Sequence, residues 1–223
     1  MGRSVTHLQP LDQIRPGKPQ MDPHSGMASV ATKAGIRLGK YPGLGIPVVL
    51  SIDFIVTVPS TVGAARLVGF SCKPMDVIMK AESNDRLRER LELDRSYCVA
   101  AKIPHHIVHP EQISQTLMVQ LHWLAPIEPW EQLKSFISSE RYLTYLEHLR
   151  KTAYEVPVCN ASRKAGTKAG WFDGEDQRAL RIAIWYQHLD VDLAQPLHTT
   201  RPVKPGGISQ RALLQRLWLG RRS

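Results

Sequence analysis

The sequence predicts an α+β protein: a mainly antiparallel sheet, or a small partly open barrel, over residues 46–124, with helices over 128–190 packed on it and flexible basic termini. Three observations carry that expectation. Residues 47–59 read PVVLSIDFIVTVP, where Leu50, Ile52, Phe54, Val56 and Val58 alternate with a second set of side chains, the period-2 pattern of a strand. Residues after Asp173 carry the strongest helical pattern. Leu180, Ala183, Ile184 and Gln187 share one side, and Ile182, Trp185, Tyr186 and Leu189 widen its apolar surface, as in a helix central to a core. Finally, Pro, Gly and basic residues crowd both ends of the chain. The expected division is a disordered basic arm (1–45), a single α+β domain (46–190), and a proline-rich connector with a basic amphipathic helix (191–223).

Taken in order, residues 1–45 hold few large apolar side chains and read as mostly disordered. Met21 and Met27 are alternative starts to Met1. After the strand at 47–59, Ser60–Gly63 reads as a turn, and Arg66–Cys72 and Met75–Ala81 as two further strands of a meander. Ser83–Leu93 reads as a short helix with balanced charge, Ser96–Ile103 as a strand, and Thr116–Leu124 as a strand with Leu117, Val119, Leu121 and Trp123 on one face. Glu128–Lys151 reads as two helices broken near Ser138–Ser139. Pro129 suits a first helical position and Ser139 starts the second helix. Tyr154–Cys159 reads as a short strand. Asp173 is positioned to cap the following helix, with Glu175 and Asp176 in its first turn and Phe172 fixing the entry angle. At the C-terminal end, Ser209 is expected to cap a helix over Ile208–Gly220, with Ile208 stapled to Leu213.

A hydrophobic content of 43% is enough to build a core. The net charge of +9 is unevenly placed: residues 1–45 carry +4, residues 160–170 carry +3 and residues 201–223 carry +6, which leaves −4 for the remainder. Cations concentrated in arms and loops suit a phosphate backbone, where each neutralised phosphate releases counterions. Cys72, Cys98 and Cys159 are odd in number and widely spaced, which argues against a disulfide framework or zinc ribbon and for buried thiols in a reducing cytoplasm. No apolar run approaches the roughly 18 residues a membrane span requires. Pro10, Pro16, Pro19 and Pro23 oppose the amphipathic helix of an organelle transit segment.

The candidate interface lies in NASRKAGTKAG, residues 160–170, read as a glycine-rich loop. Its Arg163, Lys164 and Lys168 would contact phosphates, Gly166 and Gly170 would let the backbone approach, and Trp171 would stack on a base. Arg211 and Arg216 of the C-terminal helix, with Arg37 and Lys40 of the arm, complete the nucleic-acid-binding set. The leading expectation is therefore a non-enzymatic protein that binds DNA or RNA mainly through the backbone. A first alternative is a nuclease or other hydrolase using His105, His106 and His109. Pro104 and Pro110 oppose a helix there, and in an extended chain positions four apart lie about 13 Å from one another, too far for one metal ion. A second alternative is an assembly subunit that binds protein partners through its tails. No cofactor or metal is expected, since no Walker-type, G-x-G-x-x-G or G-x-S-x-G motif is present.

Overall fold

A computed structural model describes residues 26–48, 51–58, 66–171 and 174–219. It is a mixed α+β structure whose contacts divide into two compact units, residues 1–112 with 218–223, and residues 113–217. That boundary falls inside the stretch read from sequence as one domain.

The first unit contains α1 (Met27–Lys33), β1 (Phe54–Val58), β2 (Arg66–Cys72), α2 (Met75–Ala81), α3 (Asp85–Ala100) and β3 (His105–Val108). Its three strands form one sheet in the order β1-β2-β3. β1 runs antiparallel to β2, with Phe54 opposite Phe70 and Val58 opposite Arg66. β3 runs parallel to β2, with Gly69 opposite His105 and Cys72 opposite Val108. The sheet is thus open and mixed, neither mainly antiparallel nor a barrel. The physical reason lies in the connection. α2 and α3 separate β2 from β3, and parallel pairing needs a crossover of this kind, which a short hairpin turn could not supply.

Two of the expected strands are helical. Met75–Ala81 is α2, which starts after Pro74 and buries only Ala81. A short apolar run does not distinguish helix from strand by pattern alone. Residues 96–100, read as the start of a strand, continue α3. Its Leu93, Asp94, Tyr97 and Cys98 are buried, two i,i+4 pairs on one side of a helix. Asn84 caps α3 by accepting from the amides of Arg86 (3.0 Å) and Leu87 (3.2 Å). Of the expected strand over 47–59, only Phe54–Val58 is extended in the sheet; residues 49–50 and 59 lie outside the described residues.

Part of the arm read as disordered is ordered. Met27, Val30 and Ala31 on one side of α1 pack with Leu93 and Tyr97 of α3, joined by Ile36, Leu38 and Ile52. A second cluster, Val58, Val68 and Phe70, is covered by Val108, Trp218 and Leu219. α3 lies close against β2. A side chain at Gly69 would meet the Cys98 sulfur at 2.8 Å, so the glycine makes room for that thiol. Cys98 alone of the three cysteines is buried, while Cys72 is exposed and Cys159 half-buried. Burial, reinforced by the Asp94 charge, pushes the Cys98 thiol up to about 12.

The second unit is helical: α4 (Gln115–Leu124), α5 (Trp130–Ile137), α6 (Glu140–Thr152), α7 (Val158–Lys168), α8 (Glu175–Trp185) and most of α9 (Gly207–Leu219). The break between α5 and α6 falls where expected, and the Ser139 hydroxyl caps α6 by accepting from the Tyr142 amide. The expected strand at 116–124 is instead α4. Ser114 caps it, and Leu117, Gln120 and Leu124 are buried at helical spacing while Val119 and Trp123 remain exposed. Tyr154–Cys159 is not a strand either; it holds the turn from α6 and the first residues of α7. α8 is buried most of the way round through Ala179, Leu180, Ile182, Ala183 and Ile184. Gly174 precedes it in the left-handed region at φ 84°; the expected cap Asp173 and its neighbour Phe172 lie outside the described residues.

α9 begins at Gly207, before the expected cap Ser209, because the Asp190 carboxylate accepts from the Ile208 amide at 2.8 Å. Ile208 and Leu213 are exposed and form no staple. The turn at 60–63, residues 1–25, and Gly220, Arg221 and Arg222 lie outside the described residues.

Gly166 of α7 faces α8 so closely that an added side chain would stand 2.8 Å from the Asp176 Cβ. Gly166→Ala gains about 1 kcal/mol of helix propensity but overpacks a contact whose crowding costs about 1–3 kcal/mol. The expected result is a net loss of stability, read as a lower urea midpoint at unchanged slope; a more stable variant would mean that α7 and α8 do not pack this tightly.

Candidate functional site

Residues 160–168 belong to helix α7 and are not a loop; Ala169 and Gly170 form the turn that ends it, with Gly170 at φ 71°. Ala161, Ser162, Ala165, Gly166 and Ala169 are buried, and Asn160, Arg163, Lys164, Thr167 and Lys168 are exposed. Small residues at i, i+3 and i+4 let α7 sit closely in the second unit, and the same spacing turns its cations to solvent. That alternation was the missed signal. Glycine weakens a helix, which favours a loop reading, but here Gly166 admits α8. The start of α7 is also secured at a distance. Its Val158 and Cys159 amides donate to the carbonyls of Arg201 (3.0 Å) and Thr199 (2.9 Å) in place of a local side-chain cap.

Among the described residues, none of Arg163, Lys164 and Lys168 makes an ion pair. Asp176 of α8 is half-buried, and its backbone carbonyl accepts from the Ser162 and Tyr145 hydroxyls, while Glu175 is exposed. Trp171 is 6% exposed. Its ring lies against Phe136 (5.6 Å, 16°) and Tyr145 (5.0 Å), so it belongs to the core and has no free face for a base. Arg211 is exposed and donates to the Gln187 side chain at 3.2 Å; Arg216 is exposed on the same helix. In the first unit, Arg37 and Lys40 are exposed, with the Arg37 carbonyl accepting from Arg86 and Lys40 bridged to Pro47.

The histidine segment is β3 and its side chains do not converge. His105 Nε2 lies 2.9 Å from the Ser71 hydroxyl, His106 stacks on Phe70 (5.7 Å, 30°), and His109 Nδ1 lies 3.1 Å from Glu111. Strand alternation sends neighbouring residues to opposite faces. Among the described residues, no group of three His, Cys, Asp or Glu could hold a metal ion. The three histidines of the hydrolase alternative are therefore not gathered at one point.

A different pair of residues meets at one end of the sheet. Asp53 directly precedes β1 and Lys73 directly follows β2. The antiparallel register that sets Phe54 opposite Phe70 brings Asp53 to the end of β2. There Asp53 Oδ2 accepts from the Lys73 ammonium at 2.5 Å and from the Cys72 amide at 2.7 Å. The two side chains are 35% and 17% exposed, so the pair is neither sealed nor loosely solvated. Partial burial works to raise the Asp53 pKa. The Lys73 and Cys72 hydrogen bonds, with the charges of Lys73 and Arg90, outweigh it and hold the carboxyl below its ordinary range. Among the described residues both of these bonds fall on Oδ2, and none is made to Oδ1. No local pattern marks this centre, because Asp53 lies inside the alternating stretch 47–59 and Lys73 between two expected strands. An acid at the start of one strand and a lysine at the end of the next was the available signal.

Behind this pair lies a buried polar group. The Ser71 hydroxyl donates to Asp94 Oδ2 at 2.7 Å, and Ser71 and Asp94 are 0% and 1% exposed. Burial lowers the His105 pKa; the attraction of Asp94 opposes that shift, and His106, Arg95 and Lys73 add to it. Comparison with protein-family models finds no match for this chain, and comparison with curated proteins finds none either.

His105 and, in the second unit, His188 both have pKa values lowered by burial. The unfolded chain therefore binds protons more readily than the native one. The associated stability is present above the unfolded histidine value, about 6.5, and is lost as pH falls through the lower folded values. Denaturant titrations from neutral to mildly acid pH should show falling stability, and His105→Gln and His188→Gln should each flatten that slope; unchanged slopes would place these imidazoles in water.

Proposed function

We propose that the protein is a duplex-DNA-binding phosphodiesterase, with its cleavage centre at Asp53 and Lys73 and its DNA contacts on α7. The observation that carries this reading is the Asp53–Lys73 pair, a half-exposed carboxylate bonded through one oxygen to a lysine at the rim of a sheet. Phosphodiester hydrolysis needs charge neutralisation on the phosphate, an oriented water and a cation facing the charge that develops in the transition state. Asp53 Oδ1 is the atom suited to a divalent cation. Magnesium is commonly held by one or two carboxylates completed by substrate phosphates, so a three-ligand protein cage is not required. Such a cation, when bound, would lower the pKa of its water and neutralise phosphate charge. Lys73, kept in place by Asp53 Oδ2, supplies positive charge for a non-bridging phosphate oxygen.

The face of α7 supports duplex DNA as the polyanion. Arg163, Lys164 and Lys168 project from a helix that follows α6 after a short connection at 153–157, the order of elements in helix-turn-helix modules. The major groove of B-DNA admits a helix, whereas the deep, narrow major groove of A-form RNA does not. Asn160 and Thr167 on that face are suited to base edges or phosphate oxygens. Arg211, Arg216, Arg37 and Lys40 extend the set as auxiliary phosphate contacts. The three cysteines are free, in keeping with residence in a reducing cytoplasm. No described helix is long and apolar enough to cross a membrane.

Incubation of the full chain with supercoiled plasmid and Mg²⁺ or Mn²⁺ should produce nicked or linear DNA, and chelator should stop it. Asp53→Asn should abolish cleavage while the protein still binds DNA, and Lys73→Met should abolish cleavage at the loss of about one phosphate contact in affinity. Wild-type protein that binds duplex DNA but leaves it intact with either metal would sink the catalytic assignment and retain the binding one.

The combined variant Arg163→Ala, Lys164→Ala, Lys168→Ala should weaken binding and flatten its dependence on log salt concentration by about 0.9 for each phosphate that is no longer neutralised. An unchanged slope would remove α7 from the interface.

A further inference from the structure

We propose that Asp94 is a positioning residue for the Asp53–Lys73 centre, acting through Ser71, with His105 as the third member of the relay. The inference rests on the phosphodiesterase reading and deepens it. Asp94, on α3, accepts the Ser71 hydroxyl hydrogen at 2.7 Å. A serine hydroxyl has one hydrogen, and here it is committed to Asp94. The 2.9 Å contact to His105 Nε2 then requires that nitrogen to be the donor. The Ser71 side chain is thereby held from α3 on one side and from β3 on the other. The next peptide group carries the Cys72 amide that donates to Asp53 Oδ2, and the lysine that follows it is Lys73. One peptide unit thus separates the Asp94–Ser71 bond from the atoms that orient the carboxylate.

The energetics of Asp94 argue against a role in stability alone. Its Oδ1 is buried and has no hydrogen-bond partner among the described residues. A buried carboxylate with one oxygen unsatisfied is costly, and removing it alone leaves the buried Ser71 hydroxyl without its acceptor. The carboxylate is therefore kept at a cost, as the acceptor that fixes Ser71. His105 is half-buried on β3 and reaches the same hydroxyl from the strand that pairs with Ser71 opposite Ile107.

The test compares Asp94→Leu, which removes the acceptor, with Asp94→Asn, which keeps one for the Ser71 hydroxyl. The readouts are single-turnover plasmid cleavage at saturating enzyme, DNA affinity, thermal melting, and hydrogen-exchange protection of the Cys72 amide. Asp94→Leu, compared at a temperature where melting shows it folded, should cleave about 10-fold to 100-fold more slowly, the range found when groups supporting a catalytic ligand are removed. Its DNA affinity should not change, its Cys72 amide should lose protection, and Asp94→Asn should restore rate and protection. A folded Asp94→Leu that cleaves at the wild-type rate with full Cys72 protection overturns the proposal. If Asp94→Leu does not fold, the His105 pair decides. His105→Gln, which keeps an N–H donor, should retain the rate and His105→Phe should lose it; equal rates overturn the relay. If wild type cleaves nothing, the phosphodiesterase reading fails. The Cys72 amide still reports on the relay, and full protection in Ser71→Ala would overturn it.

Discussion

The first unit depends on how closely α3 approaches β2. Gly69 leaves the space that the Cys98 sulfur occupies, and at that separation Asp94 reaches the Ser71 hydroxyl. A larger residue at position 69 would push the helix away and break the buried bond together with the packing. The same helix supplies Leu93 and Tyr97 to the cluster that holds α1. One close helix–strand contact therefore orders the N-terminal helix, seats the buried polar group and directs the end of β2 toward Asp53.

The second unit uses the same device between helices. Gly166 lets α7 meet α8 at the Asp176 backbone, and the Tyr145 and Ser162 hydroxyls close that contact by donating to the Asp176 carbonyl. Trp171 then fills the space beside Phe136 and Tyr145. Because α7 buries only small side chains, its long cations are left to solvent. A charged surface on this helix follows from how tightly its other side packs.

The two halves of the functional reading differ in kind. Arg163, Lys164 and Lys168 are neighbours in sequence, and their grouping needs only a helix. Asp53 and Lys73 are far apart in sequence and meet because β1 and β2 pair in one register. A slip of one residue would turn Asp53 to the other side of the sheet. The sheet register, not the local composition, creates the acid–lysine centre, and the buried relay behind it depends on α3 and β3 flanking β2.

Much of the local structure was legible. β2 spans the residues its pattern predicts, α5 and α6 break at Ser138–Ser139, and α8 is buried from Ala179 to Ile184 except at Arg181, although Trp185 is exposed and Tyr186, Gln187 and Leu189 lie beyond its end. Errors fell where two structures share one pattern. Met75–Ala81, residues 96–100 and Thr116–Leu124 are rich enough in apolar residues to suit a strand, and tertiary burial of Leu93, Tyr97, Leu117 and Leu124 selects the helix. At 160–170, glycine suggested a loop because its cost within a helix is local, while the compensation from α8 comes from elsewhere in the chain. α7 and α9 likewise begin where distant groups, the carbonyls of Thr199 and Arg201 and the carboxylate of Asp190, bond their first amides.

The sequence by itself determined where the cations lie, which segments carry apolar periodicity, and that the cysteines have no spacing suited to a framework. These are properties of neighbours along the chain. Only the tertiary structure decided that β3 runs parallel, that the histidines diverge, that Trp171 belongs to the core, and that Asp53 meets Lys73 in front of a buried Ser71–Asp94 bond. Each of those depends on strand register or helix approach, set by side chains far apart in sequence, and no local pattern encodes it.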